Sequence, residues 1–391
     1  MTAATAKGSA FLSDIAEIAD AVARPAAHSV DREARFPIEA CDALRAASAL
    51  SAHVPPVFGG GDASFGEVAS ACYELSRACG ATGMVYAMHQ IQIGCIARHA
   101  AGTPFFDEYL AAVCEEQRLL ASATSEIGVG GDLRRSIAAV VQDGDLCLLE
   151  KSGPTVSYAM HADDFLITAR RSPEAEASDQ VLVLAARVNT NLEQTSTWDA
   201  LGMRGTCSPG FSVTSRFPAD HVLPIPFGEI AAQTMVPYSH ILWSHVWLGI
   251  AVDAYDRARA FVRNQAKGSI DSLPPTATRL SSVAALLHAM RAEIVANTTE
   301  YARLCTNDEA AEELSSIGYA IRINNLKINA SELAPRICAE ALAICGMAGY
   351  KNDTPFSVGR HLRDALSGAL MIANDRIHAT NAALLLVQKA G

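Results

Sequence analysis

Along residues 11–120 the apolar positions recur at helical spacing, as at Leu12, Ile15, Ile18, Ala19 and Val22, with breaks at Pro25, at Pro37 and across residues 55–61. This pattern predicts a helical N-terminal domain over residues 1–120. The period changes near Ala121. Residues 137–150 hold two strand-like apolar runs separated by Asp143-Gly144, a hairpin signal, and further strands are expected at 165–169, 181–188 and 211–217. A compact, barrel-like β-domain is therefore expected over residues 121–227, closed by Pro224, Pro226 and Gly228. From about Ile230 the helical period returns, with breaks at Pro274-Pro275 and across 346–355, so residues 228–391 are expected to form a C-terminal bundle of four long helices. The expected fold class is α+β and mostly α.

Composition narrows the function classes. The chain has 391 residues, more than one hydrophobic core usually organises, and 50% are hydrophobic. Ala- and Leu-rich helices with only 19% charged residues call for extensive helix-on-helix burial, some of it between subunits, so a homodimer or homotetramer is expected. A formal charge of −11 excludes a general phosphate-backbone binder, and nucleic acid is not an expected partner. Residues 1–9 contain no apolar run of signal-peptide length, and the most apolar later stretch, 241–252, is interrupted by Ser244 and His245. A cytoplasmic protein without a membrane partner is expected. Ten scattered cysteines without a C-x-x-C pair read as reduced thiols, with no metal site among them.

Three strings carry the candidate chemistry. Trp198-Asp199-Ala200-Leu201-Gly202-Met203-Arg204-Gly205-Thr206-Cys207-Ser208 sets an aromatic-anchored turn between two strand-like segments. Upstream stands Thr124-Ser125-Glu126-Ile127-Gly128-Val129-Gly130-Gly131-Asp132, and downstream Arg360-His361-Leu362-Arg363-Asp364-Ala365. In order and spacing they resemble the W-x-x-L-G-M-R-(G/A)-T-x-S, L-T-E-P-x-A-G-S-D and R-x-x-R-D-A strings of the acyl-CoA dehydrogenase superfamily. The resemblance covers nearly the whole chain. It implies a helical, then β, then helical fold and a bound flavin, FAD rather than FMN, lodged between the β-domain and the C-terminal bundle.

The same resemblance implies which residues meet the flavin. Ser122, Thr124 and Ser125 occupy flavin-contacting positions, Gly128 and Gly130 permit close backbone approach, and Gly131 stands where relatives keep a Ser that helps seat the acyl carrier. Thr155 and Ser157 fall on the segment lying against the ring, although its usual Trp is absent. Tyr255 and Arg259 match a Y-x-x-x-R helix whose Arg reaches a neighbouring subunit's cofactor, Gly346 belongs to the Q-x-x-G-G-x-G-Y loop, and Asn374 stands where a threonine meets the cofactor. No G-x-G-x-x-G follows a strand, which argues against a tightly held nicotinamide.

Dehydrogenation of an acyl thioester needs a carboxylate to take the α-proton while the β-hydrogen leaves as hydride to flavin N5. The position implied for that base holds Ile372, and the alternative region used by some relatives is Pro237-Tyr238-Ser239-His240, without a carboxylate. The remaining candidates for the base are His89, His240 and Asp375. The resemblance thus implies an acyl-CoA dehydrogenase-type oxidoreductase acting on an acyl thioester and serving an electron-transfer flavoprotein. The superfamily's two-component flavin monooxygenases, fed by a flavin reductase and acting on a small substrate, are the alternative, and a flavoprotein-like subunit without turnover is a third.

Overall fold

The computed structural model describes residues 3–130, 132–267, 274–306 and 310–388, with side chains from Ala10 onward. Six helices come first: Ala3–Ile18 (α1), Arg24–Arg32 (α2), Ile38–Ala46 (α3), Phe65–Ala78 (α4), Gly80–His99 (α5) and Pro104–Glu116 (α6). Pro25 does not separate α1 from α2. The chain passes through a π turn at Ala19–Ala23, and Pro25 then falls in the first turn of α2, where its missing N–H costs little. Ser64 and Glu67 form a reciprocal capping box at the start of α4. Apolar and small residues on all sides of α5 let it run through the core, buried along most of its length.

Seven strands follow: Leu120–Ala123 (β1), Val140–Asp143 (β2), Leu146–Gly153 (β3), Asp164–Arg170 (β4), Gln180–Ala186 (β5), Thr190–Gln194 (β6) and Phe211–Phe217 (β7). They form two sheets, ordered β1-β4-β5 and β2-β3-β7-β6, with β1 parallel to β4 and every other pairing antiparallel. An isolated bridge between Ala139 and Arg170 links the sheets. Asp143-Gly144 makes the expected hairpin, with Gly144 at φ +64°. The periodicity did not signal β1 or β6, for opposite reasons. β1 is too short and too buried to alternate, and β6 is a polar edge strand.

The C-terminal part begins with Phe227–Ile230 (α7) and a second π turn at Ala231–Met235, which leads into Val236–Ala266 (α8). Thr276–Cys305 (α9), Ala311–Leu314 (α10), Ile317–Cys345 (α11), Met347–Tyr350 (α12), Gly359–Leu366 (α13) and Asn374–Val387 (α14) complete the chain. Three long helices are present among the described residues rather than the four expected. The fourth is divided into α13 and α14 by a turn at residues 367–373, and that turn borders the site described below. No described helix is long and apolar enough to cross a membrane.

Candidate functional site

A cavity of about 480 Å³ opens where the end of β1, the segment after β3, α5, α8 and the turn after α13 converge. That volume suits a small-molecule site. Hydroxyls line part of it: Ser122, Thr124 and Ser125 from β1 and its exit, Thr155 and Ser157 beyond β3, and Thr206 and Ser208 from the Trp198 string. Three of these hydroxyls are chained. Ser208 Oγ lies 2.8 Å from Ser157 Oγ and 2.9 Å from Thr206 Oγ1, which itself donates to the Met203 carbonyl at 2.9 Å. Ser125 Oγ donates to the Thr155 carbonyl at 2.8 Å. Much of the remaining lining is apolar, including Met84, Met88 and Ile91 from α5, Met235 and Trp243 beside and on α8, and Leu370 and Met371.

All three sequence strings supply lining residues, and two of them hold each other. Met203 adopts a left-handed φ of +49°, and its N–H donates to Asp364 Oδ1 at 2.7 Å. Arg363 donates to the Leu201 carbonyl at 2.9 Å and to Asp31 Oδ1 at 2.8 Å, tying the N-terminal helices into the same knot. A Cβ on Gly202 would overlap the Arg363 carbonyl, so only glycine fits where the strings cross. Burial pushes the Asp364 carboxyl up to about 6.

The third string is anchored from behind the sheet. Glu126 is buried and accepts from Ser136 Oγ at 2.7 Å and from the Ile137 and Ala138 N–H groups at 3.1 and 2.6 Å. Lys151 Nζ lies 3.6 Å from Glu126 Oε2, donates to the Thr168 carbonyl at 2.7 Å, and reaches the Thr124 carbonyl at 3.5 Å. Burial lowers the Lys151 ammonium to about 8. The loop's Gly128 and Gly130 take φ of +94° and +60°, as a loop demanding glycine should. Gly131, assigned to substrate binding, lies outside the described residues. Strand alternation could have exposed Lys151, since Cys147, Leu149 and Lys151 share the inward face of β3.

Ile372 lines the cavity and does so at φ +49°. A β-branched residue in that region is strained. Its carbonyl accepts from Lys327 Nζ at 2.9 Å, and the same ammonium donates to Asn374 Oδ1 at 2.7 Å. Asn374 is thus buried behind the wall, donating to Ser331 Oγ at 3.1 Å and to Glu332 Oε1 at 3.3 Å, and is not among the lining residues. Lys327 escaped the sequence reading. Its only signal there is its place between Leu326 and Ile328 on a helix-periodic segment.

The three candidate bases do not line the cavity. His89 is fully buried, with its Nδ1 accepting from the Leu120 N–H at 3.0 Å and its Nε2 donating to the Leu50 carbonyl at 2.8 Å. Both ring nitrogens are occupied, one fastening α5 to β1 and the other to the segment after α3, and burial lowers the group to about 4. His240 is buried on α8, where desolvation and the Lys327 charge lower it to about 3. Asp375 is exposed in the first turn of α14. Arg259 is exposed on α8 beside Asp256, 3.6 Å away, and Gly346 ends α11 at an exposed position with φ +54°. Neither borders the cavity within this chain.

The donor set fits a flavin: a row of hydroxyls can serve the polar edge of a flat ring, and methionines and aromatics can cover its faces. Fold and site together define a helical–β–helical flavoprotein. The acyl-CoA dehydrogenase N-terminal domain profile matches residues 5–117 and the C-terminal domain profile matches residues 228–381. The chain belongs to the acyl-CoA dehydrogenase family and is a flavin-dependent oxidoreductase. A probable acyl-CoA dehydrogenase, YngJ from Bacillus subtilis, is 25% identical over 349 residues, covering 87% of each chain. The fold matches the dibenzothiophene monooxygenase TdsC from Paenibacillus sp. A11-2 in its FMN-bound form, with TM-score 0.83, 19% identity and coverage of 97% of this chain and 98% of that one. It also matches butyryl-CoA dehydrogenase from Megasphaera elsdenii, with TM-score 0.81, 18% identity and 99% coverage of both.

Proposed function

We propose that the chain uses reduced flavin and oxygen to oxygenate a small, largely apolar substrate, and does not dehydrogenate saturated acyl thioesters. One observation carries this reading. Among the described residues lining the cavity there is no Asp, Glu, His or Lys, and the single cation, Arg363, is engaged by Asp31. An α-proton would have no acceptor there. Tyr238, in the alternative base region, is buried with its hydroxyl 2.6 Å from His53 Nε2 and cannot substitute.

Ser122, Thr124, Ser125, Thr155 and Ser157 would hold the flavin, as FAD or FMN, with the Ser208–Thr206 hydroxyl chain behind Ser157. Bound flavin supplies the electrons and, once reduced, the reaction with oxygen. The protein's own contribution is to orient the ring through these hydroxyls and to surround the reacting atoms with methionine, tryptophan and isoleucine side chains that exclude water. A separate flavin reductase would supply the reduced cofactor, and subunits would pair as a homodimer or homotetramer.

The curated relatives support a second reading, acyl-CoA dehydrogenation with an electron-transfer flavoprotein as acceptor. Anaerobic mixing with butyryl-, octanoyl- and palmitoyl-CoA, followed by flavin absorbance, separates the two. No bleaching is expected with the flavin-loaded wild-type protein. Rapid bleaching with any of the three would overturn the oxygenation reading and place a base that the cavity lining does not reveal.

A further inference from the structure

Lys327 has no relative exposure, and no carboxylate lies within ion-pair distance of it among the described residues. Its ammonium is held by two neutral acceptors, the Ile372 carbonyl at 2.9 Å and Asn374 Oδ1 at 2.7 Å, and lies 5.9 Å from the centre of the Trp247 ring. Glu332, the acid nearest in effect, is exposed and meets Asn374 instead. His240 on the adjoining helix is neutral. A buried cation whose one nearby acid is exposed and bonded to another residue is only partly compensated, which leaves its field available to an anion in the adjoining cavity.

The charge sits one carbonyl behind the cavity. Ile372 is the link: its side chain lines the cavity and its carbonyl receives the ammonium, while its left-handed backbone turns that carbonyl towards α11. We propose that Lys327 is a positioning residue that makes this wall electropositive, so that the site prefers reduced flavin, which carries an added negative charge at neutral pH, over oxidised flavin. The inference rests on the flavin reading above. A unit charge several ångströms from an anion in a partly screened interior shifts a binding ratio by about tenfold or more.

The test uses the full chain with FMN and with FAD, titrated anaerobically in the oxidised and dithionite-reduced states, together with the midpoint potential of the bound flavin. Lys327→Met removes charge and hydrogen bonds; Lys327→Gln keeps a donor for Ile372 and Asn374 but removes the charge. Wild-type protein should bind reduced flavin at least tenfold more tightly than oxidised. Both variants should lose about tenfold of that preference and show a lower potential, with circular dichroism and melting temperature confirming that they are folded. A preference retained in Lys327→Gln and lost only in Lys327→Met would mean that turn geometry, not charge, sets it, and would overturn the inference. Equal preference in all three proteins would overturn it as well while leaving the flavin reading standing. Failure of the wild-type protein to bind flavin in either state would remove the flavin reading, and the inference with it.

Discussion

Asp364 shows how one residue serves two masters. It accepts the Met203 N–H at 2.7 Å, and this bond together with the guanidiniums of Arg360, 3.8 Å away, and Arg363 offsets its burial only in part. Its folded-state value of about 6 lies above the ordinary carboxylate value. Protonated Asp364 is therefore the form that the fold favours. The resulting stability is fully present below about pH 4 and is lost as the pH rises through about 6. Asp364→Asn, which keeps an acceptor for Met203, should gain in melting temperature relative to wild type as the pH rises from about 4 to about 6.5. A difference between the two proteins that stays constant across that range would show that Asp364 does not titrate there. Thr124 and Ser125 were legible at this scale as lining residues because they sit inside a string of fixed spacing. His89 was not: helical period puts a histidine on a buried helix, but only the packing of β1 against α5 shows that both its nitrogens are occupied.

At the scale of elements, the functional part of the chain is the crossing of the 202–208 turn with α13. Gly202 has no room for a methyl group because the Arg363 carbonyl stands against it. Gly202→Ala must push the two segments apart and break the Met203–Asp364 bond, a loss of about 3 kcal/mol or more. Thermal denaturation should show a fall of several degrees or insoluble protein. A melting temperature within a degree of wild type would mean that the turn is looser than its geometry indicates. Strand periods located β2, β3, β4, β5 and β7, whereas the split of the last helix was invisible. The turn at 367–373 is held by Lys327 reaching across from α11, a contact between residues 45 positions apart.

At the scale of the whole molecule, three consecutive apolar side chains stand exposed on α14: Leu385, Leu386 and Val387 are 58, 88 and 64% exposed. Apolar exposure of this kind marks a surface for association. Analytical ultracentrifugation at roughly 10 μM should find a dimer or tetramer, and Leu386→Asp should shift it towards smaller species. A wild-type monomer at that concentration would refute the expected homo-oligomer.

The sequence by itself determined the succession of helical, strand and helical segments, the three strings that carry the family resemblance, and the absence of a carboxylate at position 372. These are properties of spacing and residue identity, which local chemistry carries. Tertiary structure alone decided that His89, His240 and Asp375 do not line the cavity, that Asn374 lies behind its wall, and that Lys151 and Lys327 are buried. Burial and partnership depend on which segments pack together, and a buried lysine is spelled the same way as a solvated one.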